Sequence, residues 1–134
     1  MGRGGGKKEP REEFVRCCAL LSEGTQVVCG TNQGRAVRLV RRTGAWECLY
    51  KNSLCQFTAV GVDEELQLAV LGDARGGLSV VSLSGVFQGY TFSAHIGHVM
   101  DIFFRSDAAS GEPVVYSGDI DEDCNGGGAI NLWP

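Results

Sequence analysis

The chain has 134 residues, room for one small domain and too few for two ordinary ones. Twelve Lys and Arg against sixteen Asp and Glu leave a net charge of -4, with 43% hydrophobic and 21% charged residues, the balance of a globular chain and not of a disordered one. No apolar run approaches the roughly 18–20 residues of a membrane-spanning helix, and the basic start from Met1 to Lys8 leads into no apolar stretch of a secretory signal. No membrane partner is expected, and cytoplasm or nucleus is the expected location.

Residues 1–13 are Gly-rich and charged without periodicity, which predicts a disordered basic tail. From Phe14 onward, short β-branched or aromatic runs alternate with Gly, Asn, Asp and Ser, the signature of strands and tight turns. Eleven strands are predicted, at Phe14–Leu21, Gln26–Gly30, Arg35–Val40, Trp46–Tyr50, Phe57–Val62, Gln67–Gly72, Leu78–Leu83, Val86–Phe92, Val99–Phe104, Pro113–Gly118 and Ala129–Trp133. The connections are too short for parallel crossovers, so the pairing is antiparallel. Twenty glycines, about twice the usual share, fit many tight turns.

The strands repeat. Val27-Val28-Cys29-Gly30, Ala69-Val70-Leu71-Gly72 and Val115-Tyr116-Ser117-Gly118 share one form, with the closing glycines 42 and then 46 positions apart. Each is followed by a polar turn and a second strand, at Val37–Val40, Leu78–Val81 and Ile130–Trp133. The excess length of the third unit falls at Ser106–Glu112 and Asp119–Gly127. A period of about 40–45 residues with four strands per unit is that of a β-propeller blade. The expectation is an all-β partial propeller of about three four-stranded antiparallel blades, near 14–50, 56–92 and 94–134, with the third lacking its last strand.

The third unit resembles a WD repeat. Ala94-His95, then Val99, Ile102 and Phe104, then Val115 to Asp119, then Ala129 to Trp133 follow the pattern of Gly-His, a V-x-x-V-x-F strand, Ser-Gly with acidic turn residues, and a closing Trp. Ala94 stands for the Gly and Pro134 for the final Asp, while Val40 and Val81 stand where the first two units would carry Trp. The resemblance implies a structural hydrogen-bonded network of His95, Ser117, Asp121 or Asp123, and Trp133. It also implies a non-enzymatic adaptor that binds other proteins, as a fragment of a longer propeller or a ring completed by other chains. The turns between second and third strands would form a partner-binding rim of Asn32, Gln33, Arg35, Asp73, Arg75, Asp119, Asp121 and Asp123.

Charge along the chain refines that reading. Residues 1–16 carry +2, residues 17–100 carry 0 and residues 101–134 carry -6. The acidic end suits a partner with a basic segment and argues against nucleic acid, whose affinity comes largely from Lys and Arg on phosphates. An RNA-binding alternative would use the Gly-Arg tail and the Arg35–Arg42 cluster. A calcium-binding alternative would use the Asp119–Asn125 loop, in which Asp121 to Gly126 matches the opening of a calcium loop, but the twelfth position is Leu132. No metal site and no cofactor are expected.

The six cysteines, at 17, 18, 29, 48, 55 and 124, include no C-x-x-C pair. Most lie among Val, Leu and Ala, where a free Cys packs as a small hydrophobe. No nucleophile elbow or phosphate loop is present, so no catalytic residue is expected.

Overall fold

A computed structural model describes residues 12–106, 110, 113–120 and 129–131. Eleven strands appear among these residues, arranged in three antiparallel sheets. The first comprises β1 (Val15–Leu21), β2 (Gln26–Thr31), β3 (Arg35–Val40) and β4 (Trp46–Lys51) in chain order. The second comprises β5 (Phe57–Asp63), β6 (Leu68–Asp73), β7 (Gly77–Ser82) and β8 (Tyr90–Ser93), again in chain order. The third places β9 (His98–Ser106), β10 (Pro113–Ile120) and β11 (Ala129–Asn131) in the same up-and-down order. Three successive meanders of this kind are the blades of a partial β-propeller.

The 42-residue spacing is visible in the backbone as well as in the letters. Each blade's first strand breaks register near its start: between Val15 and Cys17, between Phe57 and Ala59, and opposite Gly118 and Asp119 at Val99. Val15, Phe57 and Val99 therefore occupy one structural position, 42 residues apart. The turns agree too. Thr31 Oγ1 accepts from the N–H groups of Gln33 and Arg35, both at 3.2 Å. Asp73 Oδ1 accepts from Arg75 and Gly77 at 2.8 and 2.9 Å. Gly34 and Gly76 close these turns at φ +77° and +89°, a left-handed conformation that only glycine adopts without cost.

Alternation along each strand divides a blade into a leading face, toward the preceding blade, and a trailing face, toward the next. The trailing face of blade 1 (Leu21, Val28, Ala36) packs on Phe57 and on the leading face of blade 2 (Ala69, Leu71, Val81). The trailing face of blade 2 (Ala59, Leu68, Val70, Leu78, Val80) packs on Val99, Ile102 and Val115 of blade 3. Blade 2 is therefore covered on both sides, and all six residues of β6 and all six of β7 are buried. Full burial of one such Leu or Val side chain contributes about 1.5–3 kcal/mol.

Glycine sets how closely blades approach. A Cβ on Gly30 would lie 2.7 Å from Phe57 Cβ, and one on Gly72 would fall onto the Val99 side chain. Each inner strand thus drives one bulky residue into a gap left by the preceding blade's glycine. Thr58 Oγ1 adds a polar tie between blades 2 and 3, donating to Val99 O at 2.6 Å.

Three sequence expectations change. The strand expected over Val86–Phe92 begins only at Tyr90, because Ser82 Oγ accepts from Gly85 and Val86 N–H and turns the chain there. Ordered contacts reach back to Glu12, inside the segment expected to be a tail: Asn32 Nδ2 donates to Glu12 O and Arg35 pairs with Glu13. Of the cysteines, Cys29 and Cys55 are buried and Cys17 half-buried, but Cys18 and Cys48 are exposed. Cys124 lies outside the described residues.

Candidate interaction rim

The turns 31–35 and 73–77 share one rim of the blades with the interblade segments 52–56 and 94–97. Backbone hydrogen bonds join them: Asn52 N–H to Gly34 O at 2.8 Å, and His95 N–H to Gly76 O at 2.9 Å. Because blade contacts fix both sets of segments, side chains on this rim are held on a rigid frame.

The rim residues expected from sequence divide by burial. Asn32 is buried; its carbonyl oxygen accepts from Phe14 N–H at 2.8 Å and its amide donates to Glu12 O at 3.0 Å. Asp73 is buried as well, its carboxylate occupied by the turn N–H groups. Both side chains are taken up by hydrogen bonds of the fold. Gln33 is half-buried. Arg35 forms a two-pronged pair with Glu13, at 2.9 and 2.6 Å, and its guanidinium lies 5.3 Å from the Trp46 ring centroid. Arg75 is exposed and reaches across the blade junction to donate to Leu54 O at 3.3 Å. Asp119 lies in β10 opposite Val99. Asp121, Asp123 and Trp133, with the rest of the acidic loop, lie outside the described residues.

Two rim residues were not singled out from the sequence. Leu54 and Ile96 are 77% and 89% exposed and stand 42 positions apart, so they are the same position of successive interblade segments. An apolar residue recurring at the blade period inside a loop was the signal available. Beside Leu54 opens a cavity of about 300 Å³ lined by Asn52, Asp73, Arg75, Thr91 and Ser93, among others. Its wall is braced between blades, because Tyr50 and Ser79 hydroxyls both lie 2.7 Å from Thr91 Oγ1.

His95 Nε2 and Ser117 Oγ lie 2.5 Å apart, joining the segment before blade 3 to its second strand. Ser117 is buried, and the same position is Leu71 in blade 2 and Cys29 in blade 1.

Electrostatics distinguishes structural from available groups. The Arg35 guanidinium, by hydrogen bonding, holds the Glu13 carboxyl below its ordinary value. Burial pushes the Cys17 thiol up to about 11 and the Cys55 thiol up to about 12, and raises Cys29. These thiols stay protonated near neutral pH and are poor nucleophiles. Within the basic cluster, Arg35 pairs with Glu13, Arg38 with Glu47 at 2.6 Å, and Arg41 donates to Gly24 O at 2.7 Å. Those three cations are already engaged within the blade.

No family model matches the sequence, and no curated protein matches it in sequence. Solved structures do match in fold. The crystal structure of Sqt1 from Saccharomyces cerevisiae matches with a TM-score of 0.55 at 15% identity, over 84% of this chain and 33% of Sqt1. The structure of U3-55K matches with a TM-score of 0.59 at 10% identity, over 92% of this chain and 41% of U3-55K. Both are WD40 β-propeller proteins. The chain thus spans well under half the length of either, and at these identities the likeness is one of fold.

Proposed function

We propose that this chain is a non-enzymatic protein-interaction module of the WD-repeat type, within a ring completed by further blades or by other chains. Its binding surface is the rim that carries Leu54, Ile96 and Arg75. The observation that carries this reading is the pair of exposed apolar side chains at equivalent positions of a rigid rim, beside a polar cavity. Exposed apolar groups rimmed by polar ones are a common mark of protein contact, and buried apolar anchors with a polar surround carry much of the energy of such contacts. The acidic sequence from Asp119 to Asp123 supports a partner segment that pairs a Lys or Arg cluster with an apolar residue.

Selection from a displayed random-peptide library tests this. The expected result is enrichment of peptides with Lys or Arg next to a large apolar residue. Their binding should weaken at least tenfold in the double variant Leu54→Asp, Ile96→Asp and fall in Asp121→Asn, Asp123→Asn, with unchanged circular dichroism. No enrichment, or binding indifferent to both pairs of substitutions, overturns the proposal.

A further inference from the structure

The first and third of the described blades carry complementary halves of the contact that each makes with blade 2. At each internal junction a residue of the inner strand fills the space over a glycine of the preceding blade: Phe57 over Gly30 and Val99 over Gly72. Both filling residues are completely buried. The same position in blade 1 is Val15, which is 55% exposed. The glycine equivalent in blade 3 is Gly118, over which a Cβ would meet nothing within 4 Å among the described residues.

The surrounding surfaces follow suit. Strand register places Cys18, Leu20, Val27, Cys29, Val37, Leu39, Trp46 and Cys48 on the leading face of blade 1. Five of these, Cys18, Leu20, Val27, Cys29 and Leu39, correspond 42 residues on to Val60, Val62, Ala69, Leu71 and Val81 of the packed leading face of blade 2; here Leu20 is 61% exposed. At the other end, blade 3 exposes Met100 and Phe103, with Phe103 stacked on Tyr116 at 5.1 Å.

We propose that two copies of this chain associate head to tail, the leading face of blade 1 of one copy seating on the trailing face of blade 3 of the other, with Val15 filling the space over Gly118. The contact continues the packing of the two internal junctions, in each of which a leading face meets a trailing face. It is a heterologous contact, which closes a ring when the rotation permits. The inference rests on the blade packing and not on the rim proposed above, so either can fail alone.

Sedimentation equilibrium of the full chain at low salt tests it. Concentration-dependent self-association is expected, ending at a dimer where the second head and tail also meet. Val15→Asp removes the head and Gly118→Leu removes the tail, so each variant alone should be monomeric. An equimolar mixture of the two should recover dimers, because the intact head of one meets the intact tail of the other. Leu20→Lys provides a second head variant should Val15→Asp lose its β-sheet circular dichroism. Four results overturn the proposal: a monomer at every concentration, dimers lost in Val15→Asp but kept in Gly118→Leu, no recovery on mixing, or aggregates indifferent to all three substitutions.

Discussion

The leading faces of blades 1 and 2 carry apolar side chains at equivalent positions of the same register, yet they meet different surroundings. Val62, Ala69, Leu71 and Val81 of blade 2 lie against blade 1. Their counterparts 42 residues earlier are Leu20, Val27, Cys29 and Leu39. Only Cys29 of these four is buried. A face patterned for contact is therefore not a face in contact: the pattern is local, while burial comes from the neighbour. The energetics of equivalent positions should differ accordingly, and the size of the difference reports what covers blade 1.

The largest contrast is expected from side-chain truncation. Leu71→Ala, at the centre of the first junction, should destabilise the fold by ~2–5 kcal/mol through lost burial and the cavity left behind. Leu20→Ala, at 61% exposure, should stay within ~0.5 kcal/mol in dilute solution. Urea denaturation of both variants measures this. A cost for Leu20→Ala that rises with protein concentration would show the leading face of blade 1 being covered by another copy, whereas equal costs at high dilution would break the comparison.

The glycines give the next contrast. Gly72→Ala forces a methyl into Val99 and should cost ~1–3 kcal/mol by overpacking. Gly118→Ala meets no described neighbour and should stay within ~0.5 kcal/mol. Thermal unfolding of the two variants under identical conditions reads out the difference, which also measures how tightly the blades taper toward their inner strands.

Much of this architecture was legible in the sequence, for a physical reason: strand alternation, turn chemistry and repeat spacing are local properties. The eleven strand positions and the 42-residue step needed only neighbouring letters. What stayed hidden depended on contacts between distant residues. Asn32 and Asp73 look like ordinary turn residues until Glu12 to Phe14 is seen folding over the first and the β6–β7 turn wrapping the second. Val86 and Phe87 carry strand-like side chains, yet the Ser82 hydroxyl caps the backbone there into a turn. Cys18 and Cys48 sit among apolar letters but on a blade face that no described neighbour covers. The rim residues Leu54 and Ile96 are single apolar residues in loops, set apart only by their recurrence at the blade period.

A smaller contrast separates the leading faces of blades 2 and 3, where Leu71 is replaced by Ser117. The hydroxyl of Ser117 is buried and bonded to His95, so Ser117→Ala should cost ~0.5–1.5 kcal/mol, the usual net worth of such a bond. Denaturant titration measures it, and the loss should be well below that of Leu71→Ala.

The smallest effect concerns pH at the edge of blade 1. Glu13 has its pKa lowered below the ordinary glutamate value, first by its hydrogen bond to Arg35. A carboxyl depressed in the folded state contributes stability above its unfolded pKa and loses it as pH falls through the folded value. Melting temperature should therefore drop less steeply on acidification in Glu13→Gln than in the wild type, with the difference confined to the pH range below 4.5. Both partners keep substantial exposure, so solvent screening holds the effect small. It should grow if the adjoining face becomes covered, since exclusion of water strengthens the same ion pair. A pH profile repeated at low and high protein concentration thus asks, from a side chain at the border of the apolar face, whether blade 1 acquires the neighbour that blade 2 already has.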